Sequence, residues 1–287
     1  MSLGLSASIA GAFFQALNYT ATQRCQEKAH YSTTQILLAT QVAMGVILAL
    51  PFLFLGVWDY LVPSDLIALV RANAPYAAGQ FLVIIAIKKS GASIVSPLLT
   101  LKIPTLAVIA VVSGQGYPSS HQLAAIAVIL LLAYLLSRRA GALDLWPAVL
   151  IVVACIGYAF SDMEITKLSK RFADLPLLHQ VMVTVCVNYV FCAIVSLPVL
   201  IVMKAPMRVI YDARWIGVTW VVAVFFLLIG FNVAGVLEAN VAQSLRGVFT
   251  ILISLVLVRR LKVSGGDGAF KILLSIGMTA AVFLYFS

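Results

Sequence analysis

The chain has 287 residues, of which 63% are hydrophobic and 10% are charged. Soluble globular domains carry roughly a quarter charged residues, so this composition excludes a soluble domain and indicates a polytopic membrane protein. The formal net charge of +9 does not predict nucleic-acid binding, because the lysines and arginines are scattered between apolar runs and act there as an orientation signal.

Ten apolar runs lie between charged or proline- and glycine-rich breaks. They cover residues 3–23, 34–57, 73–87, 92–112, 122–137, 145–167, 177–203, 215–236, 239–258 and 269–286. Because hydrocarbon cannot satisfy backbone hydrogen bonds, runs of this length are expected to be helical. The third and fifth runs are short for a full span, and the gap before the ninth is tight, so eight to ten spans fit the pattern. The first run shows no cleavage signal and is expected to be retained.

Two of these runs carry a cation near the middle, Lys102 in the fourth and Arg246 in the ninth. A charge at the bilayer centre costs about 2.5–3.5 kcal/mol on insertion scales, so such a residue is by default a functional hypothesis. On the helical period Arg246 shares a face with Gln243 and Thr250, and Lys102 shares one with Thr105. We therefore expect polar stripes that face a cavity, where both cations bind a carboxylate or a phosphate.

The alternative is that each cation neutralises a structural acid. The candidates are Asp162 and Glu164, in the sixth run, and Glu238, in the tight turn before the ninth run. Glu164 has Lys167 one turn away, which favours a solvated pair. Asp162 is either a proton-coupling carboxylate, a counter-ion to Arg246, or an end-of-helix residue among the lipid headgroups.

Other polar residues recur at helical spacing within the apolar runs, where interhelical hydrogen bonds worth about 0.6–2 kcal/mol are the default interpretation. From them we select substrate-binding candidates: Gln15, Asn18, Tyr19, Tyr76 and Gln80. No two histidines share a helical face, and the cysteines lack metal-binding spacing. We therefore expect neither a metal nor another cofactor.

The chain also resembles itself. Setting Ala92 against Ala239 aligns the two runs that carry the central cations, and setting Gln35 against Gln180 aligns two runs that each reach a proline near the end. Two five-helix halves of one transmembrane unit follow, residues 1–140 and 141–287. An odd number of helices per half predicts an inverted repeat.

Lysines and arginines are unequally distributed between the two sets of connections. Apart from Lys102 and Arg246, 17 lysines and arginines remain, and 13 of these fall in or beside the connections that follow odd-numbered spans, whereas 4 fall on the other side. The positive-inside rule then places both termini outside the cytoplasm. The basic cluster at residues 167–171 argues for the opposite orientation.

The predicted chain has ten helices in two halves. Its fourth span reads ASIVSPLLTLKIPTLAVIAVV and its ninth reads ANVAQSLRGVFTILISLVLV. This arrangement resembles the EamA-type branch of the drug/metabolite transporter superfamily. Small residues opening both spans, Pro104 and a short turn at residues 114–116 carry the resemblance. The acidic Gly-Glu that often follows span four is Gly114-Gln115 here, and the ninth span lacks the equivalent proline. Similar members often have cytoplasmic termini.

The resemblance implies a secondary transporter, in a bacterial inner membrane, that works by alternating access around a cavity lined by both halves. Members of the superfamily move amino acids, nucleotide sugars, phosphorylated metabolites or drugs. We expect a small organic anion or zwitterion as substrate and a proton as the candidate coupling ion. Two alternatives stay open: efflux of a lipophilic cation through Asp162 or Glu164, and a lipid-processing membrane protein. An enzyme is not expected, because no nucleophile–base pair or phosphate-binding loop is present.

Overall fold

A computed structural model describes residues 3–28, 31–112, 117–139, 145–258 and 265–285 of the chain. Within these ranges the secondary structure is helical, with no strand. The α-helices in chain order are α1 (Leu3–Lys28), α2 (Thr33–Phe54), α3 (Ser64–Ser90), α4 (Ala92–Leu98), α5 (Lys102–Val112), α6 (Ser120–Arg139), α7 (Leu145–Lys170), α8 (Leu177–Val202), α9 (Arg208–Asp212), α10 (Arg214–Val233), α11 (Val236–Gln243), α12 (Arg246–Val258) and α13 (Gly265–Tyr285). Two 3-10 segments cover Val57–Tyr60 and Leu99–Leu101.

Seven of the described helical segments are long and apolar enough to cross a membrane. They are Thr33–Phe54, Ser64–Ser90, Ala92–Ile109, Ala148–Lys170, Leu177–Val202, Arg214–Val233 and Val236–Val256. The predicted all-α, polytopic membrane protein is therefore confirmed. Helices α6 and α13 contain shorter apolar segments, and α1 is long but carries polar residues such as Gln15 and Asn18. The count of ten spans stays a prediction.

The third predicted span is longer in the structure than its apolar run of residues 73–87. Helix α3 begins at Ser64 and includes Asp65 and Arg71, which interrupt the apolar pattern. Asp65 is buried and forms an ion pair with Arg171 at 2.7 Å, whereas Arg71 is exposed. A charged residue can thus extend a helix beyond the apolar run when its partner comes from a distant part of the chain.

The fourth and ninth predicted spans are not continuous α-helices. The 3-10 turn Leu99–Leu101 separates α4 from α5, and a turn at Ser244 and Leu245 separates α11 from α12. In that turn the two backbone N–H groups donate to carbonyls three residues earlier. Lys102 and Arg246 are the first residues of α5 and α12. Each central cation therefore lies where a helix changes its hydrogen-bonding pattern.

Pro97 and Pro104 flank the first break. A proline disturbs helical hydrogen bonding because it lacks a backbone donor and clashes with the carbonyl four residues earlier. The second break contains no proline. There α12 packs closely on α4, and a Cβ added to Gly247 would lie 2.8 Å from the Pro97 Cα. This approach requires glycine at position 247.

The main helix pairs join the first part of the chain to the second. Helix α1 packs on α10, α3 on α7, α2 on α8, and α6 on α13. Pair α1–α10 runs antiparallel, because Gly4 at the beginning of α1 lies against Ala234 just after α10, whereas Asn18 contacts Ile216 near the start of α10. Pair α3–α7 is antiparallel as well, since Asp65 at the start of α3 pairs with Arg171 just after α7. Their small residues bring backbones into contact, as is common between membrane helices.

Gly157→Ala tests the α3–α7 contact. We expect a lower melting temperature in detergent, because the new Cβ would lie 2.5 Å from the Pro75 carbonyl oxygen. Overpacking of this kind lowers the stability by about 1–3 kcal/mol. This loss exceeds the roughly 1 kcal/mol of helix stability that is gained when alanine replaces glycine. The control is Gly277→Ala, whose Cβ meets only Leu132 side-chain atoms, the nearer at 3.1 Å. A Gly157→Ala protein as stable as this control would contradict the contact.

Candidate functional site

A small internal cavity of about 50 Å³ lies where both parts of the chain converge. Seven residues selected from the sequence line it: Gln15, Tyr19, Tyr76, Lys102, Asp162, Gln243 and Arg246. They come from α1, α3, α5, α7, α11 and α12. One buried water needs about 10–15 Å³, so the cavity accommodates a few waters or one small polar group. A larger substrate requires the surrounding helices to move apart.

Lys102 forms an ion pair with Asp162 across the α5–α7 contact. The Lys102 side chain is 4% exposed and that of Asp162 17%. Asn240 also donates to the carboxylate, from its Nδ2 to Oδ2 at 3.1 Å. Asp162 is thus the partner of Lys102 and not, as one hypothesis had it, of Arg246. A buried cation is stabilised by an acid on the facing helix, and the 3-10 turn before Lys102 places it opposite that acid.

Arg246 lies in the same cavity, is 4% exposed, and forms no ion pair with any carboxylate of the described residues. Its Nη2 donates to the Leu99 carbonyl oxygen at 2.7 Å, and its Nη1 to Gln15 Oε1 at 3.4 Å. Its Nε and the Oε1 of Gln243 are buried without hydrogen-bond partners in this part of the structure. With these side chains ionised, the cavity holds two cations and one carboxylate, which leaves one positive charge in excess.

Aromatic side chains form another wall of the cavity. The Tyr76 ring lies 5.5 Å from that of Trp220 and 6.0 Å from that of Tyr158, measured between centroids. Trp220 Nε1 donates to the Tyr189 hydroxyl at 2.8 Å, and the Tyr158 hydroxyl donates to Gln80 Oε1. The charged groups therefore face a surface suited to an apolar or aromatic part of a ligand.

Three predicted site residues lie behind the cavity wall and do not line it: Asn18, Gln80 and Thr250. Asn18 Nδ2 donates to the Ile216 carbonyl oxygen at 2.8 Å, and Thr250 Oγ1 donates to Ser96 Oγ at 2.8 Å. These are contacts between helices. The helical period placed Thr250 on the face of Arg246, but α4 covers that part of the face.

Glu164 lies outside the cavity. It forms an ion pair with Lys167 at 2.6 Å, and the lysine side chain is 67% exposed. This agrees with the expectation of a solvated pair one turn apart.

Several residues that line the cavity are not among the candidates selected from the sequence, including Asn73, Ser161 and Trp220. Asn188 both lines the cavity and accepts a hydrogen bond from Asn73 Nδ2 at 2.8 Å. A polar residue near the end of an apolar run is only weak evidence for a position in a cavity. A tryptophan inside a run is weaker evidence still, because either lipid or an internal cavity can surround it.

Among the described residues, no group of three or more histidine, cysteine, aspartate or glutamate side chains is arranged to hold a metal ion.

No protein-family model matches the sequence, and comparison with curated proteins finds no match. A solved structure described only as "Crystal structure of protein" matches with a TM-score of 0.62 and 15% sequence identity. The match covers 98% of this chain and 95% of the other. The likeness concerns the fold alone. It extends over almost the whole chain.

Proposed function

We propose that this protein is a secondary transporter that moves a small organic anion or zwitterion by alternating access around the central cavity. The observation that supports this most is Arg246, a buried guanidinium with no carboxylate partner among the described residues. An uncompensated buried charge costs several kcal/mol, and cations within membrane spans commonly mark substrate pathways. An anionic ligand would supply the missing partner.

The same site suits a carboxylate or a phosphate. A guanidinium binds either group through parallel hydrogen bonds, and the Nε of Arg246 is free to donate. The Lys102–Asp162 pair adds no net charge, so the site favours a ligand with one negative charge. The ammonium group of a zwitterion would lie near Asp162 and the aromatic wall, where cation–π contacts add to the attraction.

The inverted two-repeat arrangement is part of this proposal, and the positions of the breaks support it. Gly91 and Gly235 precede the two interrupted helices with φ of +79° and +96°, and they are 144 residues apart (235 minus 91). The same spacing relates Lys102 to Arg246 (246 minus 102). We therefore propose a repeat spacing of 144 residues, in place of the 147 that pairing Ala92 with Ala239 predicts.

Helix packing supports the repeat as well. Counting α4–α5 and α11–α12 as one element each gives five elements before residue 140 and, with α9–α10 also joined, five after it. The α1–α10 pair joins the first element of the first half to the third element of the second half. The α7–α3 pair joins the first element of the second half to the third element of the first half. The α2–α8 pair joins the second elements of the two halves, and the α6–α13 pair joins the fifth elements. Exchanging the halves leaves this pattern unchanged, which is expected of transporter repeats.

The EamA-type resemblance, the bacterial inner membrane and the placement of both termini outside the cytoplasm belong to the same proposal. Efflux of lipophilic cations has less support, because Asp162 and Glu164 are both ion-paired and the cavity carries excess positive charge.

Uptake into liposomes tests the function. The purified protein would be reconstituted and offered labelled carboxylates, phosphates, amino acids and amines, with empty liposomes as background. We expect saturable uptake of an anion or a zwitterion and none of simple amines. A protein that moves only cations would overturn the proposal.

Gln15→Glu tests the charge of the site without removing Arg246. The substitution keeps the side-chain shape and places a carboxylate at the atom that accepts the Arg246 hydrogen bond at 3.4 Å. We expect at least tenfold weaker uptake of the anion, since the excess positive charge is neutralised. The control is Gln35→Glu at the start of α2, where the Gln35 side chain accepts from the Ser32 backbone and glutamate fits the same capping box. Equal uptake by both variants would show that Arg246 does not bind substrate.

A further inference from the structure

A large groove, separate from the central cavity, lies between α1, α10 and α12, with a volume of about 830 Å³. Apolar side chains form its wall: Phe14, Leu17, Val218 and Ile253. Four basic residues, which we call the basic rim, surround its end: Arg24, Lys28, Arg208 and Arg214. The groove is thus apolar along its length and cationic at one end.

The antiparallel packing of α1 on α10 creates the basic rim. Asn18 Nδ2 donates to the Ile216 carbonyl oxygen at 2.8 Å, which fixes the end of α1 beside the start of α10. Arg24 and Lys28, near the end of α1, therefore lie next to Arg214, the first residue of α10. Basic residues that are far apart in the sequence converge on one patch.

Asp212 is the single acidic residue among those that line the groove. It accepts a hydrogen bond from the Tyr31 hydroxyl at 2.8 Å and lies 3.8 Å from Arg208 Nε. The hydrogen bond to Asp212 raises the pKa of the Tyr31 phenol above its ordinary value. Asp212 is thus engaged by both Tyr31 and Arg208. Four cations against one engaged carboxylate leave the basic rim strongly positive.

Exposed aromatic residues at the basic rim indicate its depth in the membrane. Trp215 is 60% exposed and Tyr211 63%, and the Arg214 guanidinium carbon lies 3.7 Å from the centroid of the Tyr211 ring. Exposed tryptophan and tyrosine concentrate at the headgroup level of a bilayer. The basic rim then lies among the headgroups, and the apolar wall extends toward the hydrocarbon.

We propose that this groove binds an anionic phospholipid, with its phosphate at the basic rim and an acyl chain along the wall formed by Phe14, Leu17 and Ile253. Charge complementarity selects this occupant, because a lipid without net charge would leave the excess positive charge of the basic rim uncompensated and a soluble phosphate would leave the apolar wall uncovered. Clustered basic residues at a helix end attract the anionic lipids of the cytoplasmic leaflet, and the lysine and arginine count places this end in the cytoplasm. The proposal does not depend on transport.

The test measures lipid binding by the intact protein in a neutral detergent. Native mass spectrometry and the shift in melting temperature report the binding. Phosphatidylglycerol, phosphatidylcholine and glycerol phosphate would each be titrated. The variant is Arg24→Gln/Arg214→Gln. Its control is Lys88→Gln/Lys89→Gln, which removes two exposed charges at the end of α3. That end is on the same side of the protein, because the Gln26 side chain of α1 donates to the Ile84 carbonyl at 2.8 Å.

We expect the parent and the control to bind phosphatidylglycerol equally, and the arginine variant to bind it about 30-fold more weakly, since each basic residue near an anionic surface is worth roughly a fivefold change in affinity. Ile253→Trp, which fills the groove without altering charge, should also weaken binding. Three results would overturn the proposal: equal binding by the arginine variant, equal stabilisation by phosphatidylcholine, or glycerol phosphate binding as tightly as the lipid. A parent dimer that Ile253→Trp dissociates would also overturn it, by showing that a second copy occupies the groove.

Discussion

Arg246→Gln is expected to reduce anion uptake into liposomes by about 100-fold or more. Hydrogen bonds to charged groups contribute roughly 1.5–3 kcal/mol each, and a bound carboxylate would lose two of them along with the excess charge of the cavity. Arg246→Lys keeps the charge but loses the planar, bidentate geometry, so it should retain part of the activity.

Arg71→Gln is the matched control for this experiment. Arg71 lies on α3, is exposed, and does not line the cavity, so its variant should transport at the parental rate. Wild-type uptake by Arg246→Gln would contradict both the site and the proposed function. Comparison of initial rates over a range of substrate concentrations separates weaker binding from slower turnover.

Asp162→Asn is expected to destabilise the protein by about 3–5 kcal/mol, because it leaves the Lys102 ammonium buried without its carboxylate. Unfolding of the detergent-solubilised protein measures the effect. The control is Glu164→Gln on the same helix, whose partner Lys167 is largely exposed. Exposed ion pairs contribute roughly 0–1 kcal/mol, so the control should change little. Equal effects of the two substitutions would contradict a buried Lys102–Asp162 pair.

A double variant, Lys102→Met/Asp162→Asn, distinguishes the charge from the side-chain contacts. Removing both charges should restore most of the stability, because replacing a buried ion pair with uncharged residues is often neutral or stabilising. The double variant keeps Arg246 and the excess positive charge of the cavity, so we expect it to bind and exchange the anion. We also expect it to lose accumulation driven by a proton gradient if Asp162 is the proton-coupling group.

Much of the site follows from the sequence, because charge in an apolar run is costly wherever the helix lies. Lys102 and Arg246 were identified on that basis, and both line the cavity. The identity of their partners could not be predicted in the same way. A helical period shows which residues share a face, but it does not show which helix covers that face. Thr250 illustrates this, since α4 covers it.

The sequence also predicts that the two parts of the chain resemble each other, but it does not define the register of the proposed repeat. An alignment of two apolar segments can be shifted by a few positions and still match apolar residues, because many apolar side chains are interchangeable in hydrocarbon. The positive φ of Gly91 and Gly235 gives a sharper reference, since few other residues adopt that conformation. The proposed repeat spacing of 144 residues is based on this backbone feature.

The sequence by itself determined that this is a helical membrane protein with charges within its spans, because burial of backbone groups and of charge in hydrocarbon restricts the structure strongly. Only the tertiary structure decided how those charges combine. Asp162 neutralises Lys102 because α7 faces α5, whereas Arg246 contacts Gln15 of α1 and the Leu99 carbonyl and pairs with no acid in the described part of the chain. Ion pairing acts over a few ångströms, so the distances between helices determine which cation remains available for a ligand.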